Sequence, residues 1–161
     1  MLYLSRIFLI SMFWVLTSLS FAEGVNSAAI PDHNYFQFQI QQYHTQRQNG
    51  QTLNVYVRYA LKDGLERSQY PDYIPIRAAL LSYLEPSEEL PADAYWEVIA
   101  ERIGNALYER FPIKGVSIQL LVFPNEQAQP YEPGFHGPIY TKGKIEPLNV
   151  NPPIVWDTVN G

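Results

Sequence analysis

From Tyr35 onward apolar and polar residues take turns along the chain. Phe36, Phe38 and Ile40 alternate with Gln37, Gln39 and Gln41, the period-two pattern of a strand with one face on a core. Asn49-Gly50 follows, a hairpin signal because both residues tolerate positive φ. The return run sets Leu53, Val55, Val57 and Tyr59 against Thr52, Asn54, Tyr56 and Arg58, so one face is buried and the other is wet or covered by a partner. After Lys62-Asp63-Gly64 the period becomes helical from about residue 71. Ile76, Leu80, Tyr83 and Leu84 share one stripe, with Pro75 in the first turn, where proline is tolerated. A break at Glu85-Pro86-Ser87 precedes a second helix over residues 91–110, with Trp96, Ile99, Ala100, Ile103, Ala106 and Leu107 on its apolar face. Phe111-Pro112 stops it. Residues 116–123 form a third strand whose last residues are apolar on both sides and must be well covered. A loop over 124–133 leads to a fourth strand within 135–144. Two hairpins with short turns, flanking a helix pair, make an α+β domain: a four-stranded antiparallel sheet in the order ββααββ with both helices on one face.

The flanks change the picture more than the average composition does. Arg6 is followed by an uncharged, largely apolar run of about 13 residues and then by Ser20-Phe21-Ala22, the layout of a secretory signal with cleavage after Ala22. The alternative is an uncleaved anchor, for which the run falls short of the ~20 residues that span a bilayer. The expected organisation is a signal peptide at 1–22, a flexible leader at 23–34, a domain at 35–144 and an irregular Pro-rich tail at 145–161. The mature chain is then secreted or periplasmic, with no membrane attachment. The net charge of −5 and the lack of any basic run exclude a nucleic-acid partner. No cysteine is present, which excludes disulfides, a thiolate nucleophile and thiolate zinc sites.

The helix starts and strand ends carry a resemblance. Asp72-Tyr73-Ile74-Pro75-Ile76-Arg77 opens the first helix, Glu97-Val98-Ile99-Ala100-Glu101-Arg102-Ile103 lies in the second with Leu107 and Arg110-Phe111-Pro112 beyond it, and Val122-Phe123-Pro124-Asn125 ends the third strand. With the element order, these residues resemble the dihydroneopterin aldolase branch of the tunnelling-fold superfamily across roughly residues 36–144. The resemblance implies an oligomer in which sheets from several subunits join edge to edge. It implies that Glu97 anchors the guanidine-like edge of a pterin, that Tyr73 is the catalytic tyrosine, and that Ile74 beside it contacts the ligand. Phe123 stands where the family has its proton-transferring lysine, and a phenyl ring has no titratable group.

The residues themselves leave alternatives open. Glu97 either holds an N–H-rich heterocycle through charge-assisted hydrogen bonds or complements the helix dipole. Tyr73 is one of twelve tyrosines and also suits packing at a helix start. His136, in Pro133-Gly134-Phe135-His136-Gly137-Pro138, is either a ligand contact, since its glycines let backbone approach closely, or a turn histidine. Arg77, Arg102 and Arg110 read as solvated helix charges paired with Glu101 and its neighbours. His33, His44 and His136 are too scattered for a zinc site, and no cofactor is called for. The expected function is an exported aldolase-like protein binding a pterin- or purine-like small molecule with the catalytic lysine lost. The alternatives are a structural module on an oligomeric scaffold and an active enzyme on a pterin- or purine-like substrate. A homo-oligomer is expected because a small sheet with long edges and a second apolar face needs cover.

Overall fold

Tyr35–Thr45 and Gln51–Leu61 pair antiparallel as β1 and β2, and the alternation decides which face they bury. Phe36 lies opposite Tyr59, Phe38 opposite Val57 and Ile40 opposite Val55, all on the side that meets the helices. The computed structural model describes residues 34–124 and 132–151. The expected signal segment, the leader through His33, residues 125–131 and the tail beyond Asn151 lie outside them. Helices α1 (Tyr73–Leu84) and α2 (Trp96–Arg110) follow, then β3 (Ile113–Val122) and β4 (Ile139–Gly143). The sheet order is β1-β2-β3-β4, antiparallel throughout.

The core lies between the helices and one sheet face. Leu53, Val55, Val57 and Tyr59 of β2 and Val116, Ile118, Leu120 and Val122 of β3 meet Ile76, Ala79, Leu80 and Leu84 of α1 and Ile99, Ala100, Ile103 and Leu107 of α2. Asp72 accepts the N–H of Ile74 at 3.0 Å and so caps α1. Helix α2 starts at Trp96, later than the expected residue 91, because residues 91–94 close a separate turn through Ala94 N–H to Pro91 O at 3.0 Å. Arg77, Arg102 and Arg110 are exposed, but the expected pairing with Glu101 is not formed. Among the described residues the ion pairs are Lys114 with Asp63 and Lys142 with Glu109.

Three local features depart from simple alternation. A bulge between Ile40 and Tyr43, with Gln42 at φ 51°, shifts the parity of β1, so that Tyr43 rather than Gln42 comes opposite Leu53. The β1–β2 turn is a 3-10 turn with Gln48, Asn49 and Gly50 all at positive φ, and Arg47 at its start is completely buried. Strands β3 and β4 are not joined by a short turn, since β4 begins only at Ile139. The return is instead registered by an isolated bridge between Val122 and His136. Gly137 makes that bridge possible: its φ of 144° suits glycine, and a side chain there would collide with the Leu120 carbonyl.

The sheet face away from the helices is neither wet nor left to a partner over β3. Beyond β4 the chain crosses this face, with Leu148 buried and the Leu148 N–H donating to Ser117 Oγ at 2.8 Å. Part of the cover that the sequence assigned to another subunit is therefore supplied by the chain itself.

Candidate functional site

Where β3 ends, the chain brings polar and aromatic groups together. Phe123 N–H donates to Thr52 O at 2.9 Å, and the Val122 N–H to His136 O at 2.7 Å. The first bond ties the strand end to β2, and the second holds the returning segment beside it. The first turn of α2 lies alongside, so that Trp96, Phe123 and His136 share a cleft of about 300 Å³ with Gln48, Gln51, Glu132, Val122 and Pro133. Phe123 packs edge-on against Phe135 with ring centroids 5.0 Å apart, the favoured geometry for aromatic pairs.

The polar groups of this cleft suit a ligand rich in N–H groups. His136 Nδ1 lies 2.7 Å from Gly134 O; a carbonyl only accepts, so in the neutral ring Nδ1 carries the proton and Nε2 is the acceptor. The Glu132 carboxylate accepts only, the carboxamides of Gln48 and Gln51 offer both functions, and Trp96 and Phe123 present flat apolar surfaces. Gln48 Nε2 also donates to Ala94 O at 3.2 Å, tying the turn to the approach of α2.

Glu97 is exposed in the first turn of α2. It is next in sequence to Trp96 but does not itself line the cleft. Tyr73 and Ile74 lie elsewhere, at the start of α1, 46% and 57% exposed. The Tyr73 ring is stacked on Phe36 at 6.1 Å and tilted against Phe38 at 6.1 Å, and Phe36 lies 5.4 Å from Tyr59. Burial, and then the Asp72 carboxylate, push the Tyr59 phenol above its ordinary value and keep it neutral. Phe36 is registered to Tyr59, whereas Val122 is registered to Leu53. Six residues of β2 separate these positions, about 20 Å at ~3.3 Å per residue. Within one chain the structure joins His136 to Phe123 and Trp96, and keeps Tyr73 and Ile74 at the opposite end of the sheet.

Trp96, expected on the apolar face of α2, lines the cleft instead, and no periodicity marks Gln48, Gln51 or Glu132 as its neighbours. The one available signal was the hairpin tip at Gln48-Asn49-Gly50, which had to lie near one end of the sheet. Among the described residues no cluster of three His, Cys, Asp or Glu side chains could hold a metal ion, and no helix is long and apolar enough to cross a membrane.

No protein-family model and no curated protein matches the chain by sequence. Solved structures do match. E. coli dihydroneopterin aldolase in complex with neopterin superposes with a TM-score of 0.50 at 20% identity, covering 67% of this chain and 99% of that one. Dihydroneopterin aldolase from Burkholderia thailendensis bound to guanine gives 0.47 at 10% identity, covering 69% and 93%. The sheet order, the helix pair on one face and the superposition on the E. coli protein together establish that the chain has the α+β tunnelling fold of dihydroneopterin aldolase.

Proposed function

We propose that this is an exported protein that binds a planar pterin- or purine-like heterocycle between copies of itself and does not catalyse the retro-aldol step. The observation that carries this reading is the cleft at the end of β3, where Trp96 and Phe123 offer flat surfaces and His136, Glu132, Gln48 and Gln51 offer hydrogen-bonding groups. A flat N–H-rich ring matches that chemistry. The E. coli protein of the same fold holds neopterin, which supports the choice of ligand class. Glu97, in the exposed first turn of α2 next to Trp96, is the anchor carboxylate of this reading and would meet the ligand from the rim of the cleft rather than from its lining. Tyr73 and Ile74, about 20 Å away along the sheet, can reach the same ligand only from a second copy.

The chemistry of the strand end argues against turnover. A retro-aldol needs a group that moves protons at the cleaving bond, and Phe123 has none. Calorimetric titration with neopterin and guanine is the test. The wild type is expected to bind, and Glu97→Gln to weaken binding by about 1.5–3 kcal/mol, the range for a hydrogen bond to a charged group. No heat from either ligand overturns the reading and leaves a scaffold without a ligand.

A second reading rests on one specific observation: His136 and Glu132 line the same cleft as Phe123, so titratable groups are present although the end of β3 at the cleft does not carry one. If the chain is an active enzyme, its proton transfers run through His136 or Glu132. Turnover of a pterin substrate that disappears in His136→Gln would establish this reading in place of the first.

A further inference from the structure

On the helix-free face of β3 the residues Gly115, Ser117 and Gln119 form a row, every second position along the strand, and each meets the tail that follows β4. At Gly115 a Cβ would stand 2.7 Å from Lys144 O and 2.8 Å from Ile145 Cβ, so the bare backbone is what lets the chain pass over the sheet there. Ser117 Oγ accepts the Leu148 N–H at 2.8 Å and is itself 2.8 Å from Thr141 Oγ1. Gln119 answers a whole peptide group: its Nε2 donates to Val150 O and its Oε1 accepts the Val150 N–H, both at 2.8 Å. Arg58, opposite Ser117 in the register, reaches Glu146 O and Pro147 O at 3.4 Å.

The spacing explains the fit. Side chains on one face of a strand repeat every two residues, about 6.6 Å, and the backbone of any extended peptide repeats at the same interval. Ser117 and Gln119 therefore read backbone groups of residues 148 and 150 in step, with no demand on the side chains. The demand on sequence is made by Leu148, which is only 1% exposed. Ser117 and Gln119 are polar residues on a sheet face that would otherwise be wet, yet they are 0% and 6% exposed, and the tail backbone is what covers and pairs them. The aldolase from E. coli is covered to 99% by only 67% of this chain, whereas this seat is made with residues that follow the last strand of the shared fold.

We propose that the helix-free face of β3 is a binding seat for an extended peptide with one aliphatic side chain, and that its occupant is residues 146–150 of the same chain. The seat lies on the opposite side of the sheet from the helices.

Hydrogen exchange on the full-length chain tests this directly. The amides of Leu148 and Val150 are expected to be protected, and Gln119→Ala to speed exchange at Val150 by about tenfold, as expected for one lost pair of hydrogen bonds, while the β2 amides stay unchanged. Gly115→Val is expected to release both tail amides. In a second arm, a chain ending at Ile145 is titrated with a labelled Glu-Pro-Leu-Asn-Val-Asn peptide, residues 146–151, and with the same peptide carrying Leu148→Asp. Binding of the first and not the second supports the seat. Tail amides that exchange at the unprotected rate in the wild type overturn the proposal, as does a folded truncated chain that ignores both peptides at millimolar concentration. If the truncated chain does not fold, the exchange pattern of the full-length protein decides alone.

Discussion

Replacing Arg47 should cost this fold more than any other single change to a charged residue. Its guanidinium is completely buried and uses all five of its N–H donors. Nε donates to Leu84 O at 3.0 Å, Nη1 to Leu90 O at 3.1 Å and Pro91 O at 2.7 Å, and Nη2 to Tyr83 O at 3.1 Å and Glu85 O at 2.6 Å. Three of these are carbonyls at the end of α1, which a helix leaves without partners, so one side chain of the β1–β2 turn fastens both that end and the loop leading to α2. Burial lowers the pKa of Arg47, and the Glu85 carboxylate opposes the shift. In Arg47→Ala, Leu84 O keeps the Thr45 hydroxyl, Leu90 O keeps the Ser87 N–H and Pro91 O keeps the Ala94 N–H. Tyr83 O and Glu85 O keep nothing. Each orphaned acceptor costs about 1–3 kcal/mol; some water entry and relief of the buried charge reduce the sum, giving an expected loss of about 3 kcal/mol. That is a large part of the roughly 5–15 kcal/mol by which domains are stable. Arg47→Lys, with three donors and no planar fork, should lose about 1.5 kcal/mol or more. The exposed Arg77→Ala should stay within about 0.5 kcal/mol of wild type. Urea unfolding with a common m value measures all three, and a loss below about 1 kcal/mol in Arg47→Ala would refute the accounting of orphaned carbonyls.

Tyr43 gives the alkaline limit. Its phenol donates to Glu85 at 2.7 Å and is pushed up to about 12, first by burial and then by the bond and charge of Glu85. The unfolded phenol ionises near pH ~10, so this stability is intact below pH ~10 and is lost as the pH rises toward about 12. Unfolding curves across that window should fall more steeply for wild type than for Tyr43→Phe, and equal slopes would contradict the assignment. Sedimentation should give a mass of several chains at micromolar concentration, and Ile74→Arg, in the exposed patch with Tyr73 and Phe36, should reduce it; a single-chain mass for wild type would remove the intersubunit site. N-terminal sequencing of the exported protein should begin at Glu23, and a start at Met1 would count against cleavage.

What the sequence showed clearly was periodicity, and what it hid was every place where a polar group holds two segments together. The β2 alternation and the two helical stripes name most of the core residues that the structure buries, Tyr83, Trp96 and Ala106 being only half-buried, because burying one apolar face contributes most of what stabilises each element. The same patterns say nothing about parity shifts, so the bulge that turns Tyr43 inward was invisible. They also cannot place a helix start, since Trp96 and residue 91 lie on one continuous pattern and only the Pro91–Ala94 turn separates them. Arg47, Ser117 and Gln119 look like surface residues, and their partners are backbone carbonyls and amides that any sequence carries. The candidate site divides along the same line. His136 could be singled out because Gly134 and Gly137 flank it, whereas Gln48, Gln51 and Glu132 reach the cleft only through the turn at Arg47 and the bridge at Val122. Those two features also supply the physical link between fold and site. Arg47 holds the turn that carries Gln48 against the approach to α2, where Trp96 begins, so loosening that turn should disturb the cleft before it disturbs the sheet. A ligand that bridges Gln48, Trp96 and His136 should in turn stabilise the turn against unfolding by RT ln(1 + L/Kd), an amount that grows with the free ligand concentration L.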